Sequence, residues 1–206
     1  MFITFEGPEG SGKTTVIKMI ESALLKLEVP FIITREPGGT AISEDIRNII
    51  LDKRNTELDP KAEALLYAAS RRQHLVQKIR PAMKEGKHVL CDRYIDSSLA
   101  YQGVARGLGI DEVININMFA TDNEFPDLTI YFDIPPEVGL ERIKKNSNRE
   151  VNRLDLEKLA FHEMVRQGFH EIGRKYPKRI VMIDATRSIP VVFDEVMKII
   201  LKKIKD

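Results

Sequence analysis

The sequence predicts an α/β chain built on one five-stranded parallel sheet with helices on both faces, and three observations predict it. Short β-rich apolar runs alternate with stretches whose apolar residues recur at helical spacing. The first such run passes into a glycine-rich loop and then directly into a helical pattern. No internal repeat, low-complexity tract or linker breaks the alternation, so residues 1–206 read as a single domain. Strands that alternate with helices are joined by crossovers, and crossovers favour parallel pairing.

In order, Phe2 to Phe5 is the first strand, and Val16, Ile17, Ile20, Leu24 and Leu27 follow at helical spacing. Phe31 to Ile33 forms the second apolar run, the turn Pro37-Gly38-Gly39 comes next, and a helix carrying Ile46, Ile49 and Ile50 follows. Pro60 stands where a helix can begin, because its missing N–H is not needed in a first turn. Ala62 to Ile79 is rich in helix formers, with Gly86 as a C-terminal stop before a third strand, His88-Val89-Leu90-Cys91. Leu128 to Ile134 supplies the fourth strand and Arg179 to Ile183 the fifth; Pro190 opens an amphipathic helix with Val191, Val192, Val196, Ile199 and Ile200. Two stretches escape the rhythm. Gln102 to Gly109 contains three glycines, and Lys144 to Asn152 is polar and charged between two helical patterns. Both are expected to be mobile segments over the carboxyl ends of the strands, where open α/β sheets place ligands, with 144–152 as a lid.

Composition narrows the function classes. Lys plus Arg number 32 against 31 for Asp plus Glu, a net charge of +1 that offers no broad field for nucleic acid or membrane, so basic residues must work locally. The only cysteine, Cys91, lies in an apolar run and suits a reducing compartment. The N-terminus enters a strand pattern without a basic leader, and no apolar run approaches a membrane span, so the expectation is a cytoplasmic protein with neither nucleic-acid nor membrane partners.

Gly7-Pro8-Glu9-Gly10-Ser11-Gly12-Lys13-Thr14 fits GxxxxGK[ST] in full, between a strand and a helix as the motif requires. Its glycines let successive backbone N–H groups face phosphate oxygens, and the helix start adds a favourable dipole end. Lys13 is expected to bridge the β- and γ-phosphates of ATP, and Thr14 to hold Mg²⁺. The loop says that a nucleoside triphosphate binds, not what becomes of it. A GTPase switch would carry DxxG and NKxD motifs, and neither is present. Arginines instead gather by the predicted strand ends: Arg35 after the second strand, Arg93 after the third, and Arg71 with Arg72 on the long helix. Guanidinium groups clamp phosphate bidentately, which points to a phosphorylated acceptor held in line with the γ-phosphoryl. Asp92, at the third strand's end, is placed to take Mg²⁺ through water or to orient an arginine.

Three segments carry a family resemblance: Glu6 to Thr15, Thr34-Arg35-Glu36-Pro37-Gly38-Gly39-Thr40, and Asp92-Arg93-Tyr94-Ile95-Asp96-Ser97-Ser98-Leu99-Ala100-Tyr101-Gln102-Gly103. Together, in this order, they resemble the signatures of thymidylate kinases. The resemblance implies a P-loop NTPase fold with strand order 2-3-1-4-5, transfer of the γ-phosphoryl of ATP to dTMP to give dTDP, and a homodimer packed through helices. It implies an ATP site of Gly7 to Thr15 together with Arg142 on adenine, and Mg²⁺ at Thr14 and Asp92. For dTMP it implies Arg35 and Arg93 on the phosphate, with Glu36 in the same segment, Arg71 at the base edge and Tyr67 stacked on thymine. Ser98 and Gln102 would face the ring, Tyr101 would crowd the 2′ carbon of the sugar, and Glu9 would accept from the 3′-hydroxyl. Some members carry a catalytic arginine in the P-loop and others on the lid; Gly10 marks this chain as similar to the lid type, with Arg149 and then Arg153 as the candidates. The rival readings are a kinase for another monophosphate and a nucleotide-binding regulator without catalysis.

Overall fold

The computed structural model describes residues 1–8, 10–145 and 153–205, apart from the side chains of residues 144, 145 and 155. Five parallel strands, β1 (Phe2–Glu6), β2 (Phe31–Arg35), β3 (His88–Asp92), β4 (Leu128–Asp133) and β5 (Ile180–Asp184), form one sheet in the order β2-β3-β1-β4-β5. β1 lies between β3 and β4, with Phe5 opposite both Asp92 and Ile130. Helices α1 (Lys13–Lys26), α2 (Ala41–Leu51), α3 (Pro60–His74), α4 (Arg80–Lys84), α5 (Ile95–Ser98), α6 (Ile110–Thr121), α7 (Pro136–Lys145), α8 (Leu159–Lys175) and α9 (Ile189–Lys205) make the crossovers. A π turn, Leu75–Ile79, joins α3 to α4; a second, Leu99–Ala105, continues α5; and a 3₁₀ turn spans Arg153–Leu156.

Strand side chains alternate between the two faces of the sheet, and each face has its own core. On one face Phe2, Val89, Cys91 and Tyr131 pack with Leu75 and Ile79 and with Phe161, Val165, Phe169 and Ile172 of α8. On the other, Ile3, Phe5, Leu90 and Ile130 meet Val16, Ile17, Ile20 and Leu24 of α1 and Val192, Val196 and Ile200 of α9. Every residue of β1 is buried, as expected for a strand covered on both faces.

The boundaries move for physical reasons. β1, β2 and β3 run to Glu6, Arg35 and Asp92, past the apolar runs, because parallel ladder partners continue there: Glu6 opposite Tyr131, Arg35 opposite Asp92. The long helix begins at Pro60, where the Asp59 carboxylate accepts from the N–H groups of Lys61 and Ala62 at 2.9 and 3.1 Å. The expectation of a mobile glycine segment over 102–109 is corrected. Residues 102–105 belong to the π turn, and Gln102 and Gly103 are buried. Gly103 is there because a Cβ would meet Gly109 O and Ile110 Cα at 3.3 Å; the glycine permits close packing of two backbone segments. Among the described residues no helix is long and apolar enough to cross a membrane.

Candidate active site

The carboxyl ends of β1 and β3 lie side by side, so the loop after β1 and the turn after β3 share one site. Lys13 opens α1, is 6% exposed, and donates through Nζ to the Asp92 carboxylate, closing the gap between the two strands' ends. Thr14 and Thr15 are exposed in the first turn of α1. The Ser11 hydroxyl is buried and has no hydrogen-bond partner among the described residues, a polar atom left for a ligand to satisfy. Gly10 has φ 77°, and a Cβ on it would collide with the Gly139 backbone of α7, so no side chain fits at this P-loop position. Arg142 of α7 donates to the carbonyls of Gly10 (3.3 Å), Ala185 (3.1 Å) and Thr186 (3.4 Å), tying α7 to the loop and to the segment after β5. Glu9 lies outside the described residues.

A cavity begins at Lys13, Thr14 and Asp92 and extends between the end of β2, α3 and the α5 turn. Arg35 and Glu36 enter it from β2, Tyr67 and Arg71 from α3, and Arg93, Ser98, Tyr101 and Gln102 from the chain after β3. The sequence-predicted residues of the second substrate, from three separate segments, are thus brought to one place, Glu9 excepted.

Arg71 is 1% exposed, and four of its five N–H groups are hydrogen-bonded. Its Nε donates to Glu36 (2.8 Å), Nη1 to Ser98 Oγ (3.0 Å) and to Asn117 Oδ1, and Nη2 to the Tyr94 carbonyl (3.0 Å). Glu36, also buried, holds His74 Nδ1 at 2.9 Å through its other oxygen. Glu36 therefore fixes the guanidinium plane at the cavity wall. Arg35 is more open, with Nη1 on the Pro37 carbonyl (2.7 Å) and Nη2 on both Glu44 oxygens (2.9 Å each). Arg93 sits in the left-handed region at φ 72°, a conformation that costs a non-glycine residue about 1–3 kcal/mol and clusters at functional sites. Its Nη1 reaches Ser97 Oγ (3.2 Å) and its guanidinium lies 5.4 Å from the Tyr101 ring centroid. Tyr101 is wedged edge-on against Phe161 and Phe169, which fixes the ring.

Burial next to Glu63 pushes the Tyr67 phenol well up, so it keeps its proton. Behind the loop, Glu6 is fully buried, and desolvation, then the nearby Asp96 charge, raise its carboxyl to about 7; it accepts from the Tyr94 N–H at 2.7 Å.

Arg149 lies outside the described residues. Arg153, the other lid candidate, is buried: Nε donates to the Ile50 carbonyl at 3.0 Å and Nη2 to Glu63. Sequence reasoning missed Arg47, which lines the cavity and donates to the Pro37 carbonyl at 3.0 Å; its signal was its place one turn after Glu44 on a helix that follows the Arg35 segment. It also missed Leu51, Leu154 and His162, which line the cavity but have no sequence neighbour in the motifs.

Known proteins resemble this chain over nearly its whole length. The family model described as thymidylate kinase matches residues 5–196. A thymidylate kinase of Clostridium novyi is 62% identical over 195 residues, 95% of each chain, and one of Anoxybacillus flavithermus is 58% identical over 97% of this chain and 96% of that one. A crystal structure of thymidylate kinase from Ehrlichia chaffeensis superposes with a TM-score of 0.77 at 33% identity, covering 97% of this chain and 98% of the other. Motifs, fold and relatives converge, and the chain belongs to the thymidylate kinase family.

Proposed function

We propose that this chain catalyses ATP-dependent phosphorylation of dTMP, with the triphosphate on the P-loop and the monophosphate in the adjoining cavity. The observation that carries the reading is that one cavity has Lys13 at its mouth and the arginines Arg35, Arg71 and Arg93 along its walls. The enzyme transfers the γ-phosphoryl of ATP to dTMP, giving dTDP and ADP. A phosphate oxygen of dTMP attacks the γ-phosphorus as the bond to the β-bridging oxygen breaks. That oxygen is already ionised near neutral pH, so positioning and charge neutralisation are what the protein must supply.

Lys13 bridges the β- and γ-phosphates, and the backbone N–H groups from Gly10 to Thr15 cradle them, with the Ser11 hydroxyl in reach. Arg142 packs by adenine. The Thr14 hydroxyl and Asp92 carboxylate border the same cavity and are hard oxygen donors of the kind Mg²⁺ prefers, so the pair fits that ion; when bound it neutralises charge on the phosphates. Arg35 and Arg93 hold the dTMP phosphate; Arg71, oriented by Glu36, offers its remaining Nη2 N–H to a thymine carbonyl. Tyr67 stacks on the base, worth about 1–3 kcal/mol. Ser98 and Gln102 face the ring, Tyr101 crowds the 2′ carbon, and Glu9 accepts from the 3′-hydroxyl. Arg149 supplies charge from the lid, and Arg153, tied to Glu63 and Ile50, anchors the lid's C-terminal end. The protein works in the cytoplasm as a homodimer; Phe119 of α6, 90% exposed, with Met118 beside it and Leu65 of α3, offers the apolar helix surface that such a dimer buries.

The test is ADP production from ATP with dTMP, dCMP, dAMP or dGMP as acceptor. The reading expects dTMP to be preferred by a wide margin, and equal acceleration by all four would overturn it.

A further inference from the structure

The dTMP-cavity residues described above account for the base contacts but not for a buried carboxylate behind them. Glu63, on α3, is fully buried and accepts from three partners: Gln102 Nε2 at 2.8 Å and Arg106 Nε at 3.4 Å on one oxygen, and Arg153 Nη2 on the other. Its partners lie 39, 43 and 90 residues away in the chain, so this is a convergence made by the fold. Gln102 is itself 1% exposed and lines the cavity.

An amide has one donating and one accepting end, and a carboxylate set between two guanidinium groups only accepts. Facing Glu63, the Gln102 amide must present its NH₂ to the carboxylate, which leaves Oε1 directed to the cavity. Arg71, on the same wall, has only donors. A wall that offers a donor and an acceptor matches a base edge with a carbonyl beside a ring N–H, which is the edge of thymine. It mismatches cytosine, whose ring N3 accepts and whose exocyclic amine donates.

From this geometry we propose that Glu63 is a positioning residue that sets base specificity, by locking the Gln102 amide with its oxygen toward N3–H of the base. The inference rests on the reading that thymine lies against Gln102. Replacing Glu63 with Gln keeps the shape but permits a flip: the new amide oxygen stays with Arg153, its NH₂ takes the place of the oxygen that faced Gln102 and, at 3.4 Å, Arg106, and Gln102 turns its own NH₂ to the cavity.

The measurement is kcat/KM for dTMP against its 3-deaza analogue, which carries C–H in place of N3–H. In the wild type dTMP is favoured by about tenfold or more, the worth of one buried hydrogen bond. In Glu63→Gln the dTMP value drops by a similar factor while the analogue changes by less than about threefold, so the ratio collapses toward one. A loss shared equally by both substrates marks a merely structural role and overturns the proposal, as does a Glu63→Gln ratio equal to that of the wild type. Gln102→Leu separates the two levels. If Gln102→Leu leaves the ratio untouched, the base is not read by Gln102 and the cavity reading itself fails. If Gln102→Leu abolishes the ratio and Glu63→Gln keeps it, only the role of Glu63 falls. Should Glu63→Gln fail to fold, the wild-type comparison still decides, because a wild-type ratio near one removes the acceptor the proposal requires.

Discussion

Glu6 stands one residue before the phosphate loop, and its burial has a measurable consequence. Its folded carboxyl titrates at about 7 against an ordinary 4.5, so the folded state binds the proton more tightly than the unfolded chain. That contribution to stability is fully present below pH 4.5 and is lost as pH climbs to about 7, an effect on the order of 3 kcal/mol. Denaturant melts of wild type and Glu6→Gln at pH 5 and pH 8 should therefore diverge: the variant gains on the wild type by about 2–3 kcal/mol as the pH rises. Parallel stabilities at both pH values would mean that Glu6 is not buried as described. Lys13→Ala removes the charge that the proposed function sets against the β- and γ-phosphates and frees Asp92 from its ion pair. Turnover should fall by about 10²-fold or more with the melting temperature little changed, since the contact is stronger in the transition state than before it. At this scale the sequence was legible where a motif carries its own spacing, as in Gly7 to Thr14, and mute where the partner is remote. Nothing around Glu63 announces Gln102 and Arg153, because the pairing exists only once α3, the π turn and the 3₁₀ turn have packed.

The strands were the easiest elements to read, because a parallel strand buried on both faces is a continuous apolar run. Helix α1 was legible for a similar reason, its buried residues Val16, Ile17, Ile20 and Leu24 falling on one face. The glycines of 102–109 signal a loop by composition alone, whereas Gly103 serves close backbone packing inside a helical turn. Of the segment 144–152, proposed as a lid, residues 146–152 lie outside the described residues, and its role is open to direct test. Gly10 admits no side chain, so charge on the transferring phosphoryl has to come from elsewhere. Arg149→Ala should lower kcat by about 10²-fold or more and change ATP affinity far less, as removal of an arginine finger does. Arg153→Ala should instead lower the melting temperature, because it leaves the Glu63 carboxylate short of a buried partner. Steady-state kinetics, direct ATP binding and melts on both variants check the division; wild-type kcat in Arg149→Ala would move the catalytic charge to Arg35 or Arg93.

At the scale of the whole molecule, the strand order puts β1 at the centre, flanked by β3 and β4, and so sets the phosphate loop beside the turn that carries Asp92 and Arg93. The order itself came from resemblance; composition and periodicity reach only as far as a parallel sheet. The assembly follows the same logic. A phenylalanine left 90% exposed on α6 is a large apolar surface for a lone chain; if the proposed dimer buries it, wild type sediments as a dimer and Phe119→Glu as a monomer with the fold kept. Wild type sedimenting as a monomer would remove the dimer. The central claim is direct transfer between two nucleotides held in adjoining sites, and label tracing from [γ-³²P]ATP tests it most directly. The label should appear in dTDP, one for each ADP formed, with ADP production nearly stopped when dTMP is left out. Label released as inorganic phosphate at the same rate with and without dTMP would contradict it.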